Sequence, residues 1–491
     1  MIETARAKGA RIEGGIDAVV LGATPDAFVA ATMMARAGLH VILIETGDRP
    51  REKREFAPGY FAIDGDPLAF QIDQHVVDAL DLYRHGLAFA ARRIETFVRF
   101  GDGACFVLPG DPALAAESAA AFSEADAARF SAFIDTERKA ARALADWFAG
   151  GAAPSRLATN IAASIDGELV GRFADSRLAD FLRAEAAFGA AARASEPYTY
   201  LALLRRLAGE TAGLQGAVAA IEGGGRGLAD ALRRAAQAAG VSIRQTDRVR
   251  TAIIEWDRVA GVAFDDGGQI RAPLIVSALA AKETFIDLVG RARLDIEFAR
   301  LIDFPTPPIA SVRTHLALSG PIGDALVGAD PARRFVLASP ARDLERAFRS
   351  AATGGVDPAL AELVFPSAHD KGLAPEGCMT AALLLHPVAF GAIDDEDWRG
   401  KVERAARARL RAIAPDCAAE IVAVHLDPPE RAALPLPVAI ERRRRFTEGS
   451  GLEGYFFCGP EAVIGAGVSL SAGRRAGERA IAYFRDEGLG R

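Results

Sequence analysis

The residues best placed to do chemistry form one short stretch, Gly22-Ala23-Thr24-Pro25-Asp26-Ala27, and one acid downstream of it, Glu45. A glycine turn between a strand and a helix offers free N–H groups and the positive end of a helix dipole to a phosphate. An acidic residue about twenty positions later suits a ribose hydroxyl. The spacing therefore points to dinucleotide binding, with Gly22, Thr24 and Glu45 as candidate contacts. The loop itself departs from Gly-x-Gly-x-x-Gly. Thr24 puts a β-branched side chain where the backbone should approach the pyrophosphate, and Pro25 removes a donor. Asp26 brings a carboxylate, and two like charges about 4 Å apart cost about 4 kcal/mol at an effective dielectric of about 20. Such a cost weakens binding by roughly two to three powers of ten unless Asp26 rotates away. A second reading stands beside this one. Thr24-Pro25-Asp26 is also a self-sufficient helix start, with an N-cap, a first-turn proline and a first-turn acid.

The elements that must position these residues are legible around them. Asp17-Ala18-Val19-Val20-Leu21 reads as a short buried strand, Phe28 to Gly38 as a helix, and His40 to Ile44 as the next strand. A long alanine-rich helical region spans 113–150, and helices continue to about 207 with breaks near Pro154 and Pro197. Glu222-Gly223-Gly224-Gly225-Arg226-Gly227 lacks a clear preceding strand and reads as a flexible helix start, not a phosphate loop. The helix Leu228 to Ala239 leads into strands at 241–245, 249–256 and 259–264, and Asp265-Asp266-Gly267-Gly268 reads as a hairpin turn. The buried strand ending at Val276 would complete a sheet begun at residue 17. From about 285 to 430, strand-like 310–318 and 379–385 flank a helix-rich insert. Leu434 to Val438 reads as a loop, and Arg442 to Arg445 as a basic run with a solvated face or as a dock for an acidic partner or anionic lipid. Gly454 to Gly459 is a buried strand ending in glycine. Gly465 and Gly467 then precede a helix over 468–485, a second place where an electron-rich group can meet free N–H groups.

Composition bounds the rest. A chain of 491 residues exceeds one ordinary core, so two or more domains are expected. A net charge of −7 argues against general nucleic-acid binding. No apolar run reaches membrane-spanning length, and the first fifteen residues carry no secretory pattern. Cys105, Cys378, Cys417 and Cys458 are far apart and suggest neither a disulfide framework nor a zinc site. Scattered histidines such as His315 and His386 read as packed or surface residues. The reducing cytoplasm is the expected compartment.

Taken in order, three blocks resemble the phytoene desaturase-like FAD-dependent oxidoreductase family, and especially its pyridine nucleotide-disulfide oxidoreductase domain 2 branch. Asp17 to Glu45 resembles the adenine-dinucleotide unit. Ala239 to Ala278 resembles the central meander. Cys458-Gly459 to Gly465-Ala466-Gly467-Val468 resembles the C-terminal flavin motif, which in the family is closer to CGxGxxPGGGV. The implied fold is α/β, a Rossmann-like FAD-binding domain interleaved with a mixed α+β substrate domain, as in amine oxidases and phytoene desaturases. The implied division is 1–112, 215–290 and 431–491 for the FAD domain, and 113–214 and 291–430 for the substrate domain.

The resemblance implies cofactor roles for Gly22, Glu45 and Val249, whose backbone would face adenine. Gly459, Gly465, Gly467 and Val468 would border the ribityl chain and isoalloxazine. Besides Thr24, Pro25 and Asp26, two departures stand out. Pro50-Arg51-Glu52-Lys53 replaces a glycine pair, with Arg51 and Lys53 as substitute phosphate partners. Val463-Ile464 replaces His-Pro, and Glu461 adds a charge nearby. The implied activity is oxidation or desaturation of an apolar small molecule by hydride transfer to FAD, with peripheral contact to the inner membrane where such relatives act on lipids. The alternative is a cofactor-free or weakly FAD-binding relative that serves as a binding or scaffolding subunit beside a protein partner or an active paralogue.

Overall fold

The computed structural model describes residues 12–13, 15–46, 53–63, 65–111, 114–152, 160–245, 249–320, 322, 326, 329–415, 417, 419–433, 436–448, 451–464 and 469–489. The chain begins with β1 (Ala18–Leu21), α1 (Pro25–Arg36) and β2 (Val41–Glu45). A hairpin at 54–62 precedes β3 (Thr96–Phe100) and β4 (Cys105–Leu108), and helices follow, among them α2 (Ala127–Phe148). Then α3 (Gly224–Ala238) leads into β5 (Ser242–Gln245), β6 (Val249–Glu255), β7 (Arg258–Phe264), β8 (Gln269–Arg271) and β9 (Leu274–Ser277). Beyond them lie β10 (Ile309–Leu318), β11 (Arg334–Ala338), β12 (Leu360–Val364), β13 (Met379–Ala389) and β14 (Ile421–Leu426). The chain closes with α4 (Leu436–Glu448), β15 (Tyr455–Phe457) and α5 (Ser471–Asp486).

Five strands make the first sheet, in the order β5-β2-β1-β9-β15, all parallel. Register is tight: Leu21 stands beside Ile44 on one side and Ser277 on the other. Every residue of β1, β2 and β9 is buried, as apolar runs must be when both faces of a parallel sheet are covered. The antiparallel meander β6-β7-β8 supplies one covering layer. On α1, residues 27–32 and Met34 are buried, and this helix packs against both α3 and α5.

The second sheet is mixed, in the order β14-β10-β13-β12-β11-β3-β4. Its core strand β10 is buried along its whole length between β13 and β14. The segment between the two strands foreseen near 310 and 380 is not the helix-rich insert expected there. It holds β11 and β12 as well as the helix Ala341–Ala352, because Phe335 to Ala338 and Leu360 to Val364 are buried throughout and pair inside the sheet, with Glu362 the one charged residue among them. A second correction concerns 434–438. The helix α4 already begins at Leu436, with Pro437 in its first turn, where a missing N–H costs little.

The helices α1 and α5 approach each other closely. A Cβ added at Gly473 would fall 2.2 Å from the carbonyl oxygen of Asp26, whereas one at Gly477 would sit 3.4 Å from Cα of Ala30. Two glycines four apart on α5 thus face two residues four apart on α1, letting the backbones nearly touch. Gly473→Ala should lower unfolding stability by about 1–3 kcal/mol through overpacking. Gly477→Ala should be close to neutral, since ordinary contact is offset by better helix propensity. Denaturant midpoints of the two variants check this contrast.

Candidate functional site

In open α/β folds, ligands bind outside the carboxyl ends of the parallel strands. Here those ends gather Gly22 after β1, Glu45 at the end of β2, Ala278 after β9 and Gly459 after β15. Gly22 has φ +119°, and its amide donates to the Ile44 carbonyl at 3.0 Å. A Cβ there would lie 3.3 Å from that of Ala278, so the turn is both left-handed and crowded. Gly459 is more constrained still, with a virtual Cβ 2.1 Å from the Leu279 carbonyl oxygen. Both positions therefore require glycine on steric grounds. Val249 opens β6 and is buried. Gly465, Gly467 and Val468 lie outside the described residues.

Thr24 caps α1, its Oγ1 accepting from the Ala27 amide at 3.3 Å. Glu45 is 2% exposed. One carboxylate oxygen pairs with the guanidinium of Arg233, which also sits 5.4 Å from the Phe28 ring centroid. The other, Oε2, is buried and has no hydrogen-bond partner among the described residues. Arg233 lies on α3, far from Glu45 in sequence, and nothing local to it signals the pairing.

Asp26 has a partner on the last helix. Its Oδ1 accepts from the Gly473 amide at 2.7 Å, in the first turn of α5. The carboxylate thereby stitches two helices, and its orientation is set by α5. The compensating role expected of Lys53 is corrected. Its ammonium donates to the Gly372 carbonyl at 3.2 Å and lies over the Phe61 ring, while Arg51 is outside the described residues. Glu461 accepts from the Ala281 amide at 3.1 Å, so its charge caps a turn. His315 and His386 are packed residues: the first donates to Asp427 at 2.9 Å, and burial pushes the second down to about 4.

Comparison with known proteins bears on this geometry. No family model matches the chain. A curated relative from Mus musculus, named pyridine nucleotide-disulfide oxidoreductase domain-containing protein 2, is 24% identical over 97% of this chain and 94% of its own length. The chain is similar to that protein along nearly its whole length. The Rattus norvegicus protein of the same name is also 24% identical, over 62% of this chain and 58% of its own length. Among solved structures, an oxidoreductase from Methanosarcina mazei superposes with TM-score 0.63 at 16% identity, covering 95% of this chain and 100% of the other. A putrescine oxidase gives 0.61 at 16%, covering 96% and 99%. Cyclohexylamine oxidase from Brevibacterium oxydans gives 0.59 at 17%, covering 97% and 100%. The fold is that of FAD-dependent amine oxidases and related oxidoreductases. Among the described residues no helix is long and apolar enough to cross a membrane.

The residues can be weighed against FAD on this geometry. The partnerless Glu45 oxygen is an acceptor in want of a donor, which a ribose hydroxyl would supply, and no side chain stands at the two crowded glycines. These features fit the cofactor, and Thr24 and Pro25 are the positions that reduce the donors available to it.

Burial raises the Asp26 carboxyl to about 6, against the lowering effect of the Gly473 amide, and nearby Asp73 adds to the rise. Because the folded value exceeds the unfolded one, this group's stabilisation is full below pH about 4 and is lost as pH climbs through about 6. Asp26→Asn keeps an oxygen for Gly473 and removes the charge. The variant should match the parent at pH 4 and exceed it at pH 7.5 by about 1–3 kcal/mol. Equal stabilities at pH 7.5, from denaturant titrations, would mean that the carboxylate is solvated there.

Proposed function

We propose that the chain is an FAD-dependent oxidoreductase that oxidises an apolar small molecule by hydride transfer to the flavin. The observation that carries this reading is the buried Glu45 oxygen without a partner at the end of β2, in a chain with the FAD-dependent oxidoreductase fold. A buried acceptor left unsatisfied costs about 1–3 kcal/mol, more when charged, and a ribose hydroxyl removes that cost. When bound, FAD supplies the two-electron acceptor.

The chain's own part is binding and orientation. Arg233 fixes one oxygen of Glu45 and leaves the other to accept. Gly22 and Gly459 admit close backbone approach at the ends of β1 and β15. The crossing of α1 and α5 sets where the two helix N-termini face. Val249 is assigned to the adenine side and Gly465, Gly467 and Val468 to the flavin side. The substrate is assigned to the domain of roughly 113–214 and 291–430, where apolar surface would hold a carbon against the ring and keep water out. No side chain is assigned proton transfer.

A second reading is favoured by one specific observation, the capping of α1 by its own Thr24. A helix start satisfied from within needs no phosphate, and such a chain would serve as a weakly FAD-binding or cofactor-free scaffold.

The absorption spectrum of the purified protein after gel filtration separates the two: a retained flavin band supports the enzyme, and a colourless protein that takes up no added FAD supports the scaffold. Glu45→Ala should weaken FAD binding by about tenfold or more, the worth of one hydrogen bond to a charged group. Thr24→Gly with Pro25→Gly, leaving Asp26 in place, should strengthen it. Unchanged affinity in both variants would remove the cradle from consideration.

A further inference from the structure

Thr46 directly follows Glu45 and is 7% exposed. Its hydroxyl is buried and has no hydrogen-bond partner among the described residues. A buried polar group in that state costs stability and calls for a physical reason. Local chemistry supplies none. A threonine inside a helix can return its hydroxyl to the carbonyl four residues back, as Thr32 does to Phe28 at 2.6 Å. Thr46 follows a strand, where the extended chain carries that carbonyl out of reach.

Position gives the hydroxyl a meaning. Among the described residues, the strands of the first sheet and the residues directly after them hold two buried side-chain atoms without a partner, Glu45 Oε2 and Thr46 Oγ1. The two residues are neighbours, and both stand at the carboxyl edge where open α/β sheets take their ligands. Leu21 lies beside Ile44 in the parallel register, and the Gly22 amide extends that pairing to the Ile44 carbonyl. Two residues on from that pair, Ala23 and Thr46 come level, so Thr46 flanks the turn that leads into α1.

The two groups differ in chemistry. An ionised carboxylate only accepts, whereas a hydroxyl can also donate. Donors are what this turn lacks. Pro25 has no N–H, the Thr24 hydroxyl oxygen is occupied by the Ala27 amide, and the Lys53 ammonium is occupied by the Gly372 carbonyl.

We propose that the Thr46 hydroxyl is a further cofactor contact, donating to a phosphate oxygen of the dinucleotide beside the ribose held by Glu45. This rests on the FAD reading above, and it gives Thr46 the donor role that Thr24 and Pro25 leave unfilled. The hydroxyl lowers stability in the free chain and contributes affinity once a phosphate oxygen accepts from it.

The test uses the purified full-length protein freed of nucleotide. FAD and ADP are titrated by calorimetry, and adenosine is measured by its displacement of FAD. Thr46→Val keeps the side-chain shape and removes the hydroxyl. It should weaken FAD and ADP about tenfold or more, as for one hydrogen bond to a charged group, and leave adenosine within about twofold. Thr46→Ser restores the donor and should bind both phosphates within about threefold of the parent. Without nucleotide, Thr46→Val should raise the thermal midpoint by about 2–4 °C, because a partnerless buried hydroxyl is gone. Glu45→Ala, by contrast, should weaken adenosine as well. The proposal is overturned if Thr46→Val binds FAD and ADP as the parent does, if it weakens adenosine equally, or if it lowers the midpoint without nucleotide. A parent that binds neither FAD nor ADP overturns the FAD reading itself, and this proposal with it.

Discussion

The crossing of α1 and α5 is the constraint on which the first sheet and its covering helices depend. The two helices come from opposite ends of the chain, and they meet where Gly473 leaves no room for a side chain beside Asp26. The same contact is hydrogen-bonded, the carboxylate of Asp26 accepting from the first turn of α5. A helix start can be satisfied by its own cap, by a ligand or by a neighbour, and here α1 and α5 use different answers. Thr24 serves α1 from within, while α5 takes an acceptor from α1. Because β1 feeds α1 and β15 precedes α5, this one contact also fixes how the two ends of the chain converge on β9 between them.

Charge around the second sheet is managed by burial in networks. Arg334, 2% exposed, lies between Glu185 and Glu362 at 2.6 Å each, and Arg206 reaches Glu185 at 3.0 Å. Burial alone would raise the Glu185 carboxyl, yet the two guanidiniums hold it below the ordinary carboxylate range. The helices carrying Glu185 and Arg206 are thereby locked to β11 and β12. Buried pairs of this kind add less net stability than their Coulomb energy suggests, but they are costly to break singly, so they define one docking geometry. Arg442 and Arg443 follow the same logic, using backbone carbonyls in place of carboxylates.

Much of the first sheet was legible because its signals are local. Continuous apolar runs at 18–21, 41–44 and 274–276 mark strands covered on both faces, and the glycine after β1 marks the turn. The strands at 334–338 and 360–364 were missed because each is a short run beside a helix, with a charged residue, Arg334 or Glu362, in it and no period of its own. The basic run is a solvated face only in part, since Arg442 and Arg443 are buried, for a related reason. Four consecutive arginines on a helix point in different directions, and only the neighbours decide which are buried. At the cradle, Glu45 was legible by its spacing from Gly22, whereas its partner Arg233 was not, since the pairing spans helices with no sequence relation.

The sequence by itself determined the order of the blocks, the dinucleotide-like unit and the departures at Thr24, Pro25 and Asp26, because turn chemistry and apolar period are properties of neighbours along the chain. Only the tertiary structure decided what those departures mean. Whether a carboxylate repels a phosphate or ties a helix depends on which donor lies within about 3 Å of it. The Gly473 amide, brought there by the folding of the other end of the chain, is that donor.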